Sequence, residues 1–283
     1  MFHYLEGKII KTKNPKISAF DLGFLRGYGV FAYIRTYGPF PFLLKEHLSS
    51  FSKRAKISGL KIPLSLSKIK KIILKLSKKN YRGNDLGFRI IVTSGLDPFY
   101  CPKKGNSFLI LTNNIPKYPP SFYEKGIKII SSRKERFLPF LKSFTSYFVS
   151  FKEYTEAKKK NFQDVLFLDK EKRILECFTS NFFAVKNKEL ITPKINEQIF
   201  AGATRNFVLK LARKNNLRVK ERDIFFDEVK NFSEAFLTST SKEIMPVSQI
   251  DRFKLKAPGP LTSFLSSLFK DYIEKFKKSA NLQ

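Results

Sequence analysis

Short apolar runs alternate with lysine-rich polar stretches along the chain, and the spacing of the apolar positions changes from segment to segment. "FHYLEGKIIK" (residues 2–11) has the pattern of a β-hairpin with Gly7 near its turn. "GVFAYIRTYG" (29–38) reads as a strand, and a Gly-Pro turn and "PFLLKEHL" then give a short strand leading into a helix. That helix, "KEHLSSFSKRAKISGL", carries Leu48, Phe51, Ala55 and Ile57 at roughly helical spacing, with Gly59 suited to its end. A second helix, "SLSKIKKIILKLSKKN", sets Ile69, Ile72, Ile73 and Leu76 on one face and its lysines opposite. "LGFRIIVTSG" (86–95) is β-rich.

In "NNIPKYPPSFYEKG" (113–126), Pro116, Pro119 and Pro120 predict an irregular stretch, and the domain boundary is expected there. Beyond it follow "IKIISS", a helix at about 145–160, the strands "DVLFLD" and "FFAVKN", the hairpin-like "KELITP", and the helix "TRNFVLKLARKNN" after Gly202. A strand "EAFLTST" and a terminal helix "LTSFLSSLFKDYIEKFKK" complete the chain. The expected class is α/β (α+β): a small N-terminal α/β domain at 1–115, a linker at 116–126 and a larger C-terminal domain at 127–283.

Composition narrows the functional classes. No window approaches the ~18 consecutive apolar residues of a membrane span, and no leader with an apolar centre opens the chain, so a cytoplasmic location without membrane contact is expected. Two cysteines, Cys101 and Cys177, and two histidines, His3 and His47, suggest neither a disulfide framework nor a multi-histidine metal centre. Lys and Arg outnumber Asp and Glu by 54 to 24. The cations are spread along the chain, and no zinc-finger spacing, aromatic RNA-binding strand or basic heptad array accompanies them, so solvated helix faces account for them better than a nucleic-acid partner.

Four segments could carry chemistry. "FLPFLKSFTSYFVSF" sets Lys142 among phenylalanines and a tyrosine, where a lysine either snorkels or works. "FAGATRNFV" brings small residues and Thr204 to a helix start, a place where free N–H groups bind phosphate, although an ordinary loop-to-helix junction has the same pattern. "LTSTSKE" ends a strand in hydroxyl residues, as a phosphate cradle or a polar turn would. Glu176 in "RILECFTSNFF" ends an apolar stretch, where a carboxylate needs a positive partner and a structural salt bridge is the simplest one.

Taken in order, the series "DLGFLRGYGVFAYIRTY … KEHL … GFRIIVTSG … KSFTSY … QDVLFLD … ILECFTSNFFAV … ITP … AGATR … LTSTSKEIMPV" resembles the class IV pyridoxal-phosphate aminotransferases, from about residue 3 to 252. That family joins branched-chain and D-amino-acid aminotransferases with aminodeoxychorismate lyase. The resemblance implies a two-domain fold-type IV enzyme, pyridoxal 5′-phosphate between the domains, and a homodimer. It implies that Lys142 joins the cofactor aldehyde and carries protons, that Glu176 pairs with the pyridine nitrogen, and that Tyr147 bonds the phenolate oxygen. Ala203, Thr204 and Thr240 match the phosphate-binding positions.

Two positions depart from the family pattern. Ser50 stands where many relatives place a phosphate-gripping arginine, and Arg54, one turn later, is expected to reach the same phosphate. Ala32 stands where relatives often place Glu. Arg26 and Arg89 are the expected carboxylate-binding pair, with Phe31 beside the substrate, unless they simply pair with acids such as Asp21 or Asp85. The implied reaction moves an amino group between an amino acid, of D- or branched-chain type, and a 2-oxo acid. The rival readings are a lyase that releases pyruvate and, outside enzymology, a degenerate cofactor- or nucleic-acid-binding protein.

Overall fold

A computed structural model describes residues 1–96 and 106–281; Cys101 lies outside the described residues. The chain forms two compact units. The first comprises Met1–Pro116, Leu141–Thr145 and Phe276–Gln283, and the second Lys117–Phe140 and Ser146–Lys275.

In the first unit, β1 (Phe2–Leu5) and β2 (Lys8–Lys11) pair antiparallel around Glu6 and Gly7. Then come α1 (Leu22–Arg26), β3 (Gly29–Tyr37), β4 (Phe40–Pro41), α2 (Leu44–Ile57), α3 (Leu66–Asn80), β5 (Leu86–Thr93) and β6 (Phe108–Asn114). Their strands form a 6-stranded sheet in the order β2-β1-β6-β5-β3-β4. Successive side chains of a strand point to opposite faces. Val30, Ala32 and Ile34 of β3 therefore join Phe88, Ile90 and Val92 of β5 in a core with Phe51 of α2 and Ile69, Ile73 and Leu76 of α3. Phe31 and Tyr33, paired with Ile91 and Arg89, alternate with those core positions and belong to the other face.

Helix α3 matches its expected split: Ile69, Ile73 and Leu76 are buried while Lys68, Lys71, Lys75 and Lys78 are exposed. Ile57 does not follow the buried stripe of α2. It is 58% exposed, because it lies nine residues after Leu48 and, at about 100° per residue, half a turn away from it.

The second unit holds α4 (Pro120–Lys125), β7 (Ile127–Ser132), α5 (Phe148–Lys159), β8 (Asp164–Leu168), β9 (Ile174–Cys177), β10 (Asn181–Lys186), β11 (Glu189–Pro193), α6 (Ala203–Lys214), β12 (Val219–Arg222), β13 (Glu234–Ser239), β14 (Glu243–Ile250), β15 (Phe253–Lys254) and, as far as Lys275, α7 (Pro260–Asn281). A 9-stranded mixed sheet runs β12-β11-β10-β13-β14-β7-β8-β9, with β15 on β14 and a further β9–β10 pairing. Leu166, Phe182, Ala184, Leu237, Met245 and Val247 belong to its core. Helix α4 corrects the expectation of irregular structure through 126. Pro120 occupies the first helical turn, where the missing N–H is not needed and the fixed φ already suits a helix.

The first unit's core depends on the fully buried Phe51. Phe51→Ala is expected to lower unfolding stability by about 3–5 kcal/mol, read as a shift in the urea midpoint at unchanged slope.

Candidate active site

Lys142 lies in the first unit. Residues 142–144 lie along β3: Phe31 N donates to Lys142 O at 3.3 Å, Phe144 N donates to Gly29 O at 3.2 Å, and Val30 bridges Ser143. Lys142 has a φ of 51°. A left-handed backbone at a long-chain residue is uncommon and costs about 1–3 kcal/mol, a strain concentrated at functional sites. The Lys142 amine lies 5.5 Å from the centre of the Phe31 ring. Phe144 stacks on that ring at 6.1 Å, and the Arg89 guanidinium lies 5.5 Å from it. Half-buried and packed against aromatic faces, Lys142 is no freely extended surface lysine.

Arg54 is buried, and its Nη1 donates to Phe31 O and to Leu141 O, both at 2.9 Å. It thereby ties the residue preceding Lys142 to the strand beneath. Ser50 is half-buried one turn earlier on α2, and Ala32 is buried in the core. His47, which drew no notice in the sequence beyond the metal count, has its pKa lowered to about 3 by burial and by the nearby cations Lys142 and Arg54. Its spacing of seven from Arg54 on α2, two turns of helix, was the available signal.

Arg26 is exposed in the last turn of α1, which closes at Gly27 with a φ of 68°. Arg89 is exposed on β5, opposite Tyr33. The acids weighed as their partners have other engagements. Asp21 caps α1 by accepting from Gly23 N at 2.7 Å and also accepts from Thr93 Oγ1 at 2.9 Å. Asp85 accepts from Arg35 at 2.8 Å and from Gly38 N at 2.9 Å.

Glu176 lies in the second unit. Glu176, 5% exposed on β9, accepts from Arg136 Nη2 at 2.9 Å through Oε1, and through Oε2 from Asn181 Nδ2 at 2.9 Å and Phe200 N at 3.1 Å. Arg136 also donates to Gln198 O at 3.1 Å and lies 4.6 Å over the Phe167 ring. Sequence reasoning missed this arginine, which stands in a charged stretch, "RKER", with no periodicity to mark it.

Asn181 Nδ2 also donates to Phe200 O at 2.7 Å. A side chain on Gly202 would begin 2.2 Å from Asn181 Oδ1, so only glycine lets α6 start against Asn181. Gly202 caps α6 without a side-chain hydrogen bond, and Ala203 and Thr204 open the helix. Across the sheet Asn181 pairs with Glu176 on one side and with Thr238 on the other. Thr240 follows two residues later, half-buried in the β13–β14 turn. Tyr147 is half-buried, its ring edge-on to Phe178 at 5.9 Å. In the second unit Asn181 thus contacts Glu176 and borders Gly202, the residue before Ala203 and Thr204, while its pairing partner Thr238 precedes Thr240 by two residues; in the first unit Lys142 and Arg89 lie at the Phe31 ring and Arg54 holds the Phe31 carbonyl.

In the second unit a buried carboxylate suits a ring nitrogen and an open helix start with hydroxyls suits a phosphate; in the first unit a constrained amine suits an aldehyde. The family of amino-transferases of class IV matches residues 29–250. The chain belongs to the class IV aminotransferases. It is therefore a pyridoxal 5′-phosphate-dependent transaminase. It is 33% identical to a candidate branched-chain-amino-acid aminotransferase of Methanocaldococcus jannaschii, covering 96% of both chains. It is 28% identical to a D-alanine aminotransferase of Bacillus licheniformis, covering 94% of this chain and 95% of that one. In fold it is similar to the branched-chain aminotransferase of Thermoproteus uzoniensis crystallised with norvaline, with a TM-score of 0.89 at 24% identity over 96% of this chain and 94% of that one.

The aminotransferase should show an acid-labile first unit. Because the pKa of His47 falls from 6.5 to about 3 on folding, the unfolded chain binds the extra proton between those values, so this contribution is complete above 6.5 and is lost as pH falls toward 3. Thermal melts from about pH 7 down to about pH 4 are expected to show a falling midpoint, with a shallower fall in His47→Gln.

Proposed function

We propose that this aminotransferase transfers the amino group of a D- or branched-chain amino acid to a 2-oxo acid, and that the observation carrying this reading is the pair of groups at the Phe31 ring, the Lys142 amine and the Arg89 guanidinium, each 5.5 Å from its centre. An amine that would hold the cofactor aldehyde, beside a carboxylate-binding fork, suits an α-amino acid whose amino group reaches that aldehyde while its carboxylate meets the guanidinium. Phe31 and Ile91 on the same sheet face supply apolar contact for its side chain. Arg26 is the second carboxylate-binding arginine in this reading.

Pyridoxal 5′-phosphate supplies an aldehyde and an electron-accepting ring when bound. Lys142 Nζ would hold it covalently, would be released when the substrate amine takes its place on that carbon, and would then carry the proton from the substrate Cα to the former aldehyde carbon. Glu176, ion-paired with Arg136, would pair with the ring nitrogen, and Tyr147 with the phenolate oxygen. The N–H groups at Ala203 and Thr204 and the hydroxyls of Thr204 and Thr240 would receive the phosphate, with Arg54 as the arginine that substitutes for the one absent at Ser50. Two carbonyls already engage Arg54 Nη1, so its contribution divides between shaping the Lys142 segment and binding phosphate. The enzyme works as a homodimer in this reading. The exposed apolar side chains Ile17, Phe20, Phe24 and Leu25 of the first unit are the support for that surface.

Separate additions of D- and L-amino acids to the purified enzyme, followed by absorbance, test the donor class: conversion near ~420 nm is expected only with true donors. Pyruvate release without amino-group transfer would favour the lyase reading instead. Lys142→Ala is expected to abolish turnover and the borohydride-reducible attachment of cofactor, and normal transamination by that variant would refute the role of Lys142. Glu176→Gln is expected to lower the rate by roughly two or more orders of magnitude with cofactor still bound. An unchanged rate would make Glu176 purely structural.

A further inference from the structure

A buried ion pair in the second unit has no part in the chemistry described so far. Lys242 is 8% exposed, although it sits in the three-residue turn between β13 and β14. Its Nζ donates to Asp164 Oδ2 at 2.5 Å, to Ser180 Oγ at 3.0 Å and to Thr179 Oγ1 at 3.4 Å. An ammonium has three donors, and these acceptors occupy them all. Asp164 is fully buried on β8, and its Oδ1 accepts from Val165 N at 2.9 Å and from Phe178 N at 3.2 Å. Burial alone pulls the Lys242 pKa down, but the charge and hydrogen bond of Asp164 more than offset it, and the amine stays protonated.

Every partner of this pair belongs to one of two turns or to β8. Phe178, Thr179 and Ser180 form the β9–β10 turn, directly after Glu176 and Cys177 and directly before Asn181. Thr240, Ser241 and Lys242 form the β13–β14 turn. The second turn is held from outside as well. Lys242 N donates to Ser239 Oγ at 3.1 Å, Tyr123 Oη donates to Lys242 O at 3.3 Å, and Tyr118 Oη lies 3.2 Å from Ser241 Oγ. Glu243 closes it with a φ of 58°. Among the described residues no hydrogen bond engages the Thr240 hydroxyl, so the turn is held at Ser239, Ser241 and Lys242 and leaves Thr240 available.

A lysine beside a phosphate seat would ordinarily be read as the phosphate's cation. This one is not, because its charge is neutralised by Asp164 and its donors are used. We propose that Lys242 is a positioning residue, which locks the turn carrying Thr240 onto the turn that follows Glu176 and so presets the seat for the phosphate of the cofactor. This inference rests on the proposed role of Thr240 and Glu176 in holding pyridoxal 5′-phosphate. The anchor acts on the phosphate end. Its loss should therefore weaken binding of the phosphorylated cofactor while leaving the same ring without phosphate little changed. A merely structural role predicts no such selectivity.

The experiment compares apo-enzyme, Lys242→Gln and the charge-balanced double variant Asp164→Asn/Lys242→Met, each titrated by absorbance with pyridoxal 5′-phosphate and separately with pyridoxal. The double variant is included because removing Lys242 alone leaves a buried carboxylate uncompensated, which can unfold the chain. In whichever variant retains a cooperative melt, affinity for pyridoxal 5′-phosphate should fall roughly tenfold or more, equivalent to about 1.4 kcal/mol, with affinity for pyridoxal within about twofold of the parent. Equal losses for both ligands, or no loss for either, would overturn the positioning role, as would unfolding of both variants, which would make the pair an element of global stability. A parent that binds neither ligand would instead overturn the proposed function itself.

Discussion

The arrangement of the second unit's site depends on one buried carboxylate. Glu176 is almost wholly removed from water, and an ionised carboxylate in that position is tolerable only with a cation and further hydrogen bonds. Arg136, Asn181 and the Phe200 N–H supply them. Each partner has a structural consequence. Asn181 starts β10 and cross-links the Phe200 carbonyl, so the loop approaching α6 is pinned to the sheet. That approach brings Gly202 so close to Asn181 that no side chain fits, and α6 begins at that point. The carboxylate that would face a ring nitrogen and the helix start that would face a phosphate are thus set by the same asparagine.

In the first unit the organising constraint is the crowding of cations around an aromatic ring. Lys142 and Arg89 share the Phe31 ring, and Arg54 holds the chain on both sides of it through two carbonyls. Ring faces attract cations, which offsets part of the cost of placing two together. A third full charge is avoided, since the neighbouring His47 resists protonation until pH falls to about 3. The positive φ of Lys142 belongs to the same picture. The bonds from residues 142 and 144 to β3 and from Arg54 to Leu141 hold a backbone conformation that an isolated lysine would leave.

Much of this was legible in the sequence, and the failures have identifiable causes. The core faces of β3, β5 and α3 follow simple periods, and the order of "KSFTSY", "ILEC", "AGATR" and "LTSTS" carries the family resemblance, each segment lying at a junction of elements: before α5, at the end of β9, at the start of α6 and at the end of β13. Ile57 was misplaced because an apolar residue at a helix end satisfies a rough period without facing the core. The helix at Pro120 was missed because clustered prolines were read only as breakers. Arg136 and Lys242 were invisible for a different reason. In a chain with 54 Lys and Arg residues, two that are buried carry no compositional mark, and only their partners distinguish them.

Those partners also change what the abundant positive charge can do. The formal net charge of +30 suggests that anionic ligands are held by lysines and arginines. In the second unit the reverse holds near the candidate phosphate seat: Arg136 is tied to Glu176, Arg205 to Glu221 and Lys242 to Asp164. With these cations already neutralised, what the second unit itself offers a phosphate is the N–H groups of a helix start and hydroxyls, whose strength depends on being correctly aimed before the ligand arrives. Fixed dipoles reward rigidity where free charges do not. The paired cations then act as braces: Arg205 anchors α6 to the Pro193 carbonyl and Glu221, Arg136 secures Glu176, and Lys242 fastens the turn that carries Thr240. The dispersed surface lysines can still raise the local concentration of anionic cofactor and substrates, but selectivity has to come from the geometry that the buried pairs maintain.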